Sequence, residues 1–157
     1  AIEEVEKILT GKKSKLVKDK ADAFGETALM KAARLGYEEM LDLLLEYKAD
    51  YDMRDNNGYS ALMKAAEFGK SNTLVKLTEA GANLDFATRR DKLTALMLAG
   101  KRGHGEICKE LIQEGANYSL QDSNGKKAID MIRNDEAKKM FEQAVIDNPV
   151  SNFQPQI

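Results

Sequence analysis

Residues 25–33 read Gly-Glu-Thr-Ala-Leu-Met-Lys-Ala-Ala, and residues 58–66 repeat them almost unchanged as Gly-Tyr-Ser-Ala-Leu-Met-Lys-Ala-Ala. Residues 92–100 give a third copy, Lys-Leu-Thr-Ala-Leu-Met-Leu-Ala-Gly, and a weaker fourth begins at Gly125. The step between copies is about 33 residues, and two further sets keep it: Gly36, Gly69 and Gly103, and Ala49, Ala82 and Ala116. A repeat of this period predicts a stack of similar units, because a unit this small cannot bury its apolar face alone.

Each unit is predicted to contain two helices joined by a tight turn. A side-chain oxygen can cap the first helix of three units, at Thr27, Ser60 and Thr94. The first of these helices is expected to end at Gly36, because glycine readily adopts the left-handed conformation that closes a helix. The second helices are expected to stop at Lys48, Gly81 and Gly115.

This pattern, with Asp-x-x-Gly-x-Thr before the first helix and Gly-Ala-Asn after the second, resembles the ankyrin repeat over residues 22–146. The resemblance implies an all-α repeat solenoid of about four to five units, each a helix-turn-helix with a β-hairpin finger. The expected division is a degenerate N-terminal capping helix with a Lys-rich linker (1–21), three full repeats (22–54, 55–88 and 89–121), a C-terminal capping repeat (122–148) and a flexible tail (149–157). The capping repeat is expected to be shortened, with helices over residues 128–133 and 135–145 and an exposed side lined by Lys127, Arg133, Lys138 and Lys139.

Two departures from the family pattern concern the start of the first helix. The proline of the family is Ala28, Ala61 and Ala95 here, which removes a pre-set backbone angle. The histidine that usually braces neighbouring fingers through hydrogen bonds is Met30, Met63 and Met97. We therefore expect the bracing between fingers to rest more on packing, with methionine filling irregular gaps.

Composition narrows the class of function. At 157 residues and 43% apolar content the chain can bury a core, yet it has no apolar stretch long enough to cross a bilayer. The net charge of -2 lacks the basic excess of a nucleic-acid binder. Cys108 is the only cysteine, which favours a reducing compartment. We expect a cytoplasmic monomer, with the nucleus left open, that neither inserts into membranes nor binds nucleic acid.

Candidate chemistry is sparse. His104 and Cys108 are four residues apart on a predicted helix and could form a nucleophile–base pair or half a metal site. The favoured interpretation is structural, because the histidine occupies a slot common in the family and the cysteine falls on an apolar stripe. Gly11-Lys12-Lys13-Ser14 lacks the first glycine of a phosphate-binding loop, and the Lys-rich run over residues 12–20 is interpreted as a solvated linker. No cofactor, no metal and no catalysis are expected.

The resemblance implies that a partner protein binds the concave side, formed by the fingers and the open face of the first helices. The positions carried over are Phe24, Glu26, Arg34, Leu35, Asn57, Tyr59, Glu67, Phe68, Arg90, Leu93, Lys101 and Arg102. Large apolar side chains are expected to be exposed at five of them, namely Phe24, Leu35, Tyr59, Phe68 and Leu93. The alternative is that Phe24 or Phe68 folds back onto a neighbouring repeat.

The charges on these positions suggest how a partner would be oriented. Glu26 and Glu67 make the first two repeats acidic, whereas Arg90, Lys101 and Arg102 make the third repeat basic. We expect the partner to offer an apolar anchor and an acidic stretch, with the acidic end toward the third repeat.

The third finger is irregular. It contains one extra residue, and Lys92 replaces the glycine found at 25, 58 and 125. A lysine adopts a positive φ only at a cost, so we expect the extra residue to reshape the turn and avoid that strain. This altered, basic finger is the predicted specificity element, with drift in a tolerant loop as the alternative.

The resulting hypothesis is a non-catalytic protein–protein interaction module, such as an adaptor, a scaffold or an inhibitory subunit. An alternative is the targeting or regulatory ankyrin segment of a larger multidomain protein, such as a kinase or a channel. A small enzyme is the third possibility, and it would need clustered titratable groups that the sequence does not show.

Overall fold

The computed structural model describes residues 2, 3, 7 and 18–149. Within residues 18–149 eight α-helices follow one another: α1 Ala28–Leu35, α2 Glu38–Glu46, α3 Ala61–Glu67, α4 Ser71–Ala80, α5 Ala95–Arg102, α6 Gly105–Gln113, α7 Ala128–Met131 and α8 Asp135–Asp147. They form four helix-turn-helix units, and the described part of the chain contains no β-strand, so the all-α repeat architecture is confirmed.

Several predictions at the two ends fall outside the described residues. Of the predicted N-terminal helix, only Ile2, Glu3 and Lys7 are described, and all three are helical. The phosphate-loop-like residues 11–14, most of the Lys-rich run and residues 150–157 lie outside the described ranges.

The helix ends follow the predicted capping pattern. The hydroxyl of Thr27 accepts a hydrogen bond from Met30 N at 3.3 Å, and Ser60 and Thr94 cap α3 and α5 in the same way. Gly36 closes α1 with a left-handed φ of 75°, as predicted, and Gly103 closes α5 with a φ of 78°. These caps satisfy backbone groups that a short helix would otherwise leave without partners.

The core lies between two rows of helices. The first helices α1, α3, α5 and α7 pack side by side, and the second helices α2, α4, α6 and α8 form a row behind them. Small side chains let the first helices approach closely, and the buried alanines include Ala32, Ala33, Ala65, Ala66 and Ala99. The methionines that replace the family histidine, Met30, Met63 and Met97, are each 1% exposed and fill this core. Adjacent units therefore share one continuous apolar interior.

Backbone hydrogen bonds connect each finger to the next. Asn56 N donates to Phe24 O at 3.0 Å, Arg89 N donates to Asn57 O at 2.9 Å, and the third link runs from Ser123 to Asp91. The fingers are turns rather than ladders, since the only bridge in the described residues pairs Ala21 with Thr27. Main-chain hydrogen bonds therefore join the fingers in addition to the packing of the buried methionines.

The third finger does not avoid strain. Lys92 has a φ of 57° and so adopts the left-handed conformation of the glycines at 25 and 58, and the expectation that the extra residue relieves it is wrong. The extra residue widens the finger instead, because Thr88 N bonds Leu93 O across five positions where Asp55 N bonds Tyr59 O across four. Lys48, at the stop position of α2, has a φ of 60° and carries the same strain.

The first helix of the last unit is shorter than predicted, and the second is two residues longer. The helix expected over residues 128–133 ends at Met131, and Ile132 is extended and buried, with a ψ of 117°. The second helix of the unit, α8, begins after Asn134, whose side chain accepts a hydrogen bond from Ala137 N. This early stop places Arg133 outside the helix, on the edge of the cleft described below.

Candidate functional site

The fingers and the open ends of the first helices carry an exposed apolar surface. Its members are Phe24, 77% exposed at the first finger, Leu35, 44% exposed at the end of α1, and Phe68, 47% exposed at the end of α3. Leu35 and Phe68 are equivalent residues of two neighbouring units whose first helices pack together. We call these three residues the apolar strip.

Two residues predicted for the strip are placed differently. Leu93 is only 8% exposed and is a buried residue, so the expectation that it is exposed is wrong. It closes the widened third finger, where Leu93 N donates to Thr88 Oγ1 at 3.0 Å. Tyr59 is half-buried, with Lys64 Nζ 5.2 Å from its ring centroid. Burial raises the pKa of the Tyr59 hydroxyl, and the nearby Glu67 carboxylate raises that pKa further.

Neither exposed phenylalanine is covered by a neighbouring repeat. The Phe24 ring remains mostly in solvent. Phe68 does contact the preceding unit, because the Arg34 guanidinium lies 5.9 Å from its ring centroid, yet nearly half of the side chain remains exposed. The cation–π contact holds the ring in place without burying it, which leaves an ordered apolar surface.

The acidic residues of the first two repeats are paired within the protein. Glu26 Oε1 lies 3.4 Å from both Arg34 Nε and Lys64 Nζ. Glu67 Oε1 lies 2.9 Å from Arg102 Nη2. Four of the six charged residues predicted to face a partner are thus paired with one another, in the pairs Glu26–Arg34 and Glu67–Arg102.

The other two predicted cations of the third repeat differ from Arg102, because they are not paired with an acid of the described residues. Arg90 and Lys101 are exposed, and neither forms an ion pair with a residue that the structure describes. Asn57 is also exposed, and its carbonyl oxygen binds the third finger through Arg89 N. Lys101 lies in a cleft of about 470 Å³ between the third repeat and the last unit.

This cleft, which we call the cap cleft, was not predicted. Its walls include Asp91, Leu93, Lys101, Lys126, Met131 and Arg133. Sequence reasoning placed Arg133 inside a helix on the outer side of the last unit, and only the early end of α7 brings it to the cleft. The weak match of the fourth copy to the repeat was the one signal that this unit would be shortened.

His104 and Cys108 serve structure and do not act together. His104 Nε2 lies 3.1 Å from Glu67 O of the preceding repeat, and the ring packs against Gly69. Cys108 is fully buried, with Sγ 4.0 Å from Leu96 O, and burial raises the pKa of its thiol to about 12. A thiol held protonated in the core is a poor nucleophile.

Among the described residues, no group of three or more His, Cys, Asp or Glu side chains is arranged to hold a metal ion. None of the described helices combines the length and the apolar character that a membrane span requires.

Sequence comparison covers most of this architecture. A family model described as "Ankyrin repeats (3 copies)" matches residues 2–88, and a second, described as "Ankyrin repeat", matches residues 91–123. The first match includes the segment before the first full repeat as well as both repeats that carry the apolar strip. A search of the curated proteins finds no significant match.

Proposed function

Because the chain belongs to the ankyrin-repeat family, we propose that it is a non-catalytic adaptor, scaffold or inhibitory subunit that binds a partner protein. Ankyrin repeats are generally protein–protein interaction modules. The partner occupies the concave face, where the apolar strip lies beside the cation-bearing third repeat. The protein acts as a monomer in the cytoplasm.

The apolar strip is the observation that carries this proposal. Leu35 and Phe68 expose large side chains at equivalent points of two stacked repeats, and Phe24 adds a third on the finger. Burying one such side chain fully contributes about 1.5–3 kcal/mol, so a partner that covers the strip gains several kilocalories per mole. Ordered apolar side chains rimmed by charge are typical of interface centres.

The placement of the titratable groups supports a non-catalytic role. The one cysteine is buried, and the one histidine bonds a backbone carbonyl of the repeat before it. Catalysis of acyl or proton transfer needs such groups to converge on an accessible pocket.

The proposal is tested by affinity capture from native extract, with bound proteins quantified by mass spectrometry. The wild-type chain is compared with a Leu35→Ala/Phe68→Ala double variant and with Ile146→Ala. Ile146 is 70% exposed on α8, away from the strip, and is the matched control. We expect proteins retained by the wild type and by Ile146→Ala to be lost from the double variant, with unchanged urea unfolding. Equal retention by all three would sink the proposal.

A further inference from the structure

We infer that the cap cleft binds an acidic segment of the partner protein and thereby sets the direction in which the partner lies along the repeats. This inference rests on the proposed function, since it assigns chemistry to the partner that the apolar strip anchors. The cleft lies at the far end of the concave face from Phe24. The apolar strip would therefore bind an apolar anchor of the partner, and the cap cleft would bind its acidic end.

The two later units lack a lysine that the first two repeats share. In the first two repeats a lysine on the first helix binds the finger aspartate, with Lys31 2.9 Å from Asp22 and Lys64 2.9 Å from Asp55. The equivalent residues are Leu98 in the third repeat and Met131 in the last unit. In the last unit the finger aspartate, Asp122, is therefore held by backbone amides and not by a lysine of its own first helix.

The three cations of the cap cleft have no acidic partner among the described residues. Lys101, Lys126 and Arg133 are all exposed, and none forms an ion pair with any residue in the described ranges. Such groups are free to bind an incoming carboxylate without breaking an existing contact. Rim charges of this kind raise the rate of association and set orientation more than they raise affinity.

The cap cleft also contains three carboxylates, those of Asp91, Asp122 and Asp130. Asp122 Oδ1 accepts hydrogen bonds from Asn124 N and Lys126 N, both at 2.8 Å. Asp130 Oδ2 accepts one from Lys127 N at 2.9 Å. Backbone amides thus hold these two acids back toward the protein, while Asp91 lies at the rim.

The adjoining finger adds positive charge. Arg89, Arg90 and Lys92 are exposed on the widened third finger, which forms one wall of the cleft. Together the widened finger at residues 89–92 and the cap cleft carry six exposed cations and three carboxylates. The local potential is therefore positive although the whole chain carries a net charge of -2.

A polypeptide fits this cleft better than a nucleic acid. Leu93 and the half-buried Met131 provide an apolar floor for the methylene groups of a glutamate side chain. Carboxylates interleaved with the cations would repel a continuous phosphate backbone, which is favoured by uninterrupted basic surface.

The inference is tested by selection from a display library of short random peptides on the intact chain. We expect enriched peptides to combine an aromatic or large aliphatic residue with an excess of Asp and Glu. A Lys101→Glu/Arg133→Glu variant should select peptides without that excess. Selection of the same acidic peptides by both proteins, or of apolar peptides without acids by the wild type, would overturn the inference.

Affinity measurements on one enriched peptide refine the test. Lys101→Gln, Lys126→Gln and Arg133→Gln should each weaken binding about twofold to fivefold, with a shallower salt dependence. Lys139→Gln on α8 makes the same charge change outside the cleft and is the control. An effect of Lys139→Gln equal to the others would contradict a local site.

Two further outcomes separate the proposals. If no peptide is enriched but capture from extract still depends on Leu35 and Phe68, the acidic segment is wrong and the interaction module stands. If single-stranded RNA or duplex DNA binds the chain and the same glutamate variant abolishes that binding, the cleft is a nucleic-acid site and the inference is overturned.

Discussion

Arg102 in α5 donates a hydrogen bond of 2.9 Å from Nη2 to Oε1 of Glu67 in α3, so two residues predicted to meet a partner are bound to each other. The contact joins consecutive repeats, and His104 reaches the carbonyl of the same glutamate. A partner that approaches this junction therefore meets a neutral pair rather than two separate charges.

The Glu67–Arg102 pair should contribute little to stability. Arg102 is 56% exposed, and exposed ion pairs are worth about 0.2–1 kcal/mol. A double-mutant cycle with Glu67→Ala and Arg102→Ala, measured by urea unfolding, should give a coupling energy in that range. A coupling well above about 1 kcal/mol would show that the pair holds the two repeats together.

Replacing Lys92 with glycine should stabilise the protein. The left-handed conformation of Lys92 costs a residue with a Cβ about 1–2 kcal/mol, and glycine removes that cost. Part of the resulting stabilisation is lost again, because glycine has greater conformational freedom in the unfolded chain. We expect Lys92→Gly to raise the free energy of unfolding by about 0.5–1 kcal/mol. Lys92→Ala removes the charge but keeps the strain and should show no such gain; equal stabilisation by both variants would implicate charge instead.

Gly105→Ala should weaken the junction between the third repeat and the last unit. A Cβ at this buried position would lie 2.9 Å from Ala137 Cα and 3.0 Å from Met140 Sδ on α8. Overpacking of this kind costs about 1–3 kcal/mol, although alanine is the better helix former. Gln113→Ala, at an exposed position of the same helix, should leave the urea midpoint nearly unchanged. A stabilising Gly105→Ala would mean that α8 moves away without cost.

The Cys108 thiol should resist modification in the folded protein. Its pKa is raised to about 12 by burial, whereas a thiol in the unfolded chain ionises near pH 8.5. A disulfide reagent at pH 8 should therefore titrate one thiol only in denaturant. The unfolded state binds fewer protons between these two pKa values, so stability from this group falls as pH rises from about 9 toward 12. Cys108→Ala should lose less stability over that interval, and rapid labelling of the native thiol would contradict the placement.

The repeat architecture was predictable because its determinants are local. The hydroxyl caps at Thr27, Ser60 and Thr94 and the left-handed Gly36 depend on residues within one turn of the chain. The period then decides how units stack, since each apolar stripe needs a neighbour. The early end of α7 was missed because it depends on how Ile132 packs against Gly100 of the preceding unit.

The candidate surface was only partly predictable. Positions at the fingers and helix ends follow from the period, and Phe24, Leu35 and Phe68 are exposed as expected. The pairing of Glu26 with Lys64 depends on side chains that meet across two repeats, and Leu93 is buried in the finger that carries the one-residue insertion. Neither the rotamers nor the effect of the insertion can be read from residue spacing.

Hydrogen bonds between main-chain atoms run from finger to finger, as in the link from Asn56 N to Phe24 O, and the Asn56 side chain adds a bond from Nδ2 to Ala23 O. The main-chain bonds need only a backbone N–H, so any residue other than proline can stand at these donor positions without breaking them. Individual side chains on the surface that meets the partner can therefore change while the spacing between fingers stays the same. A change of partner in this protein would then require new side chains at the fingertips and no change in the backbone links between the fingers.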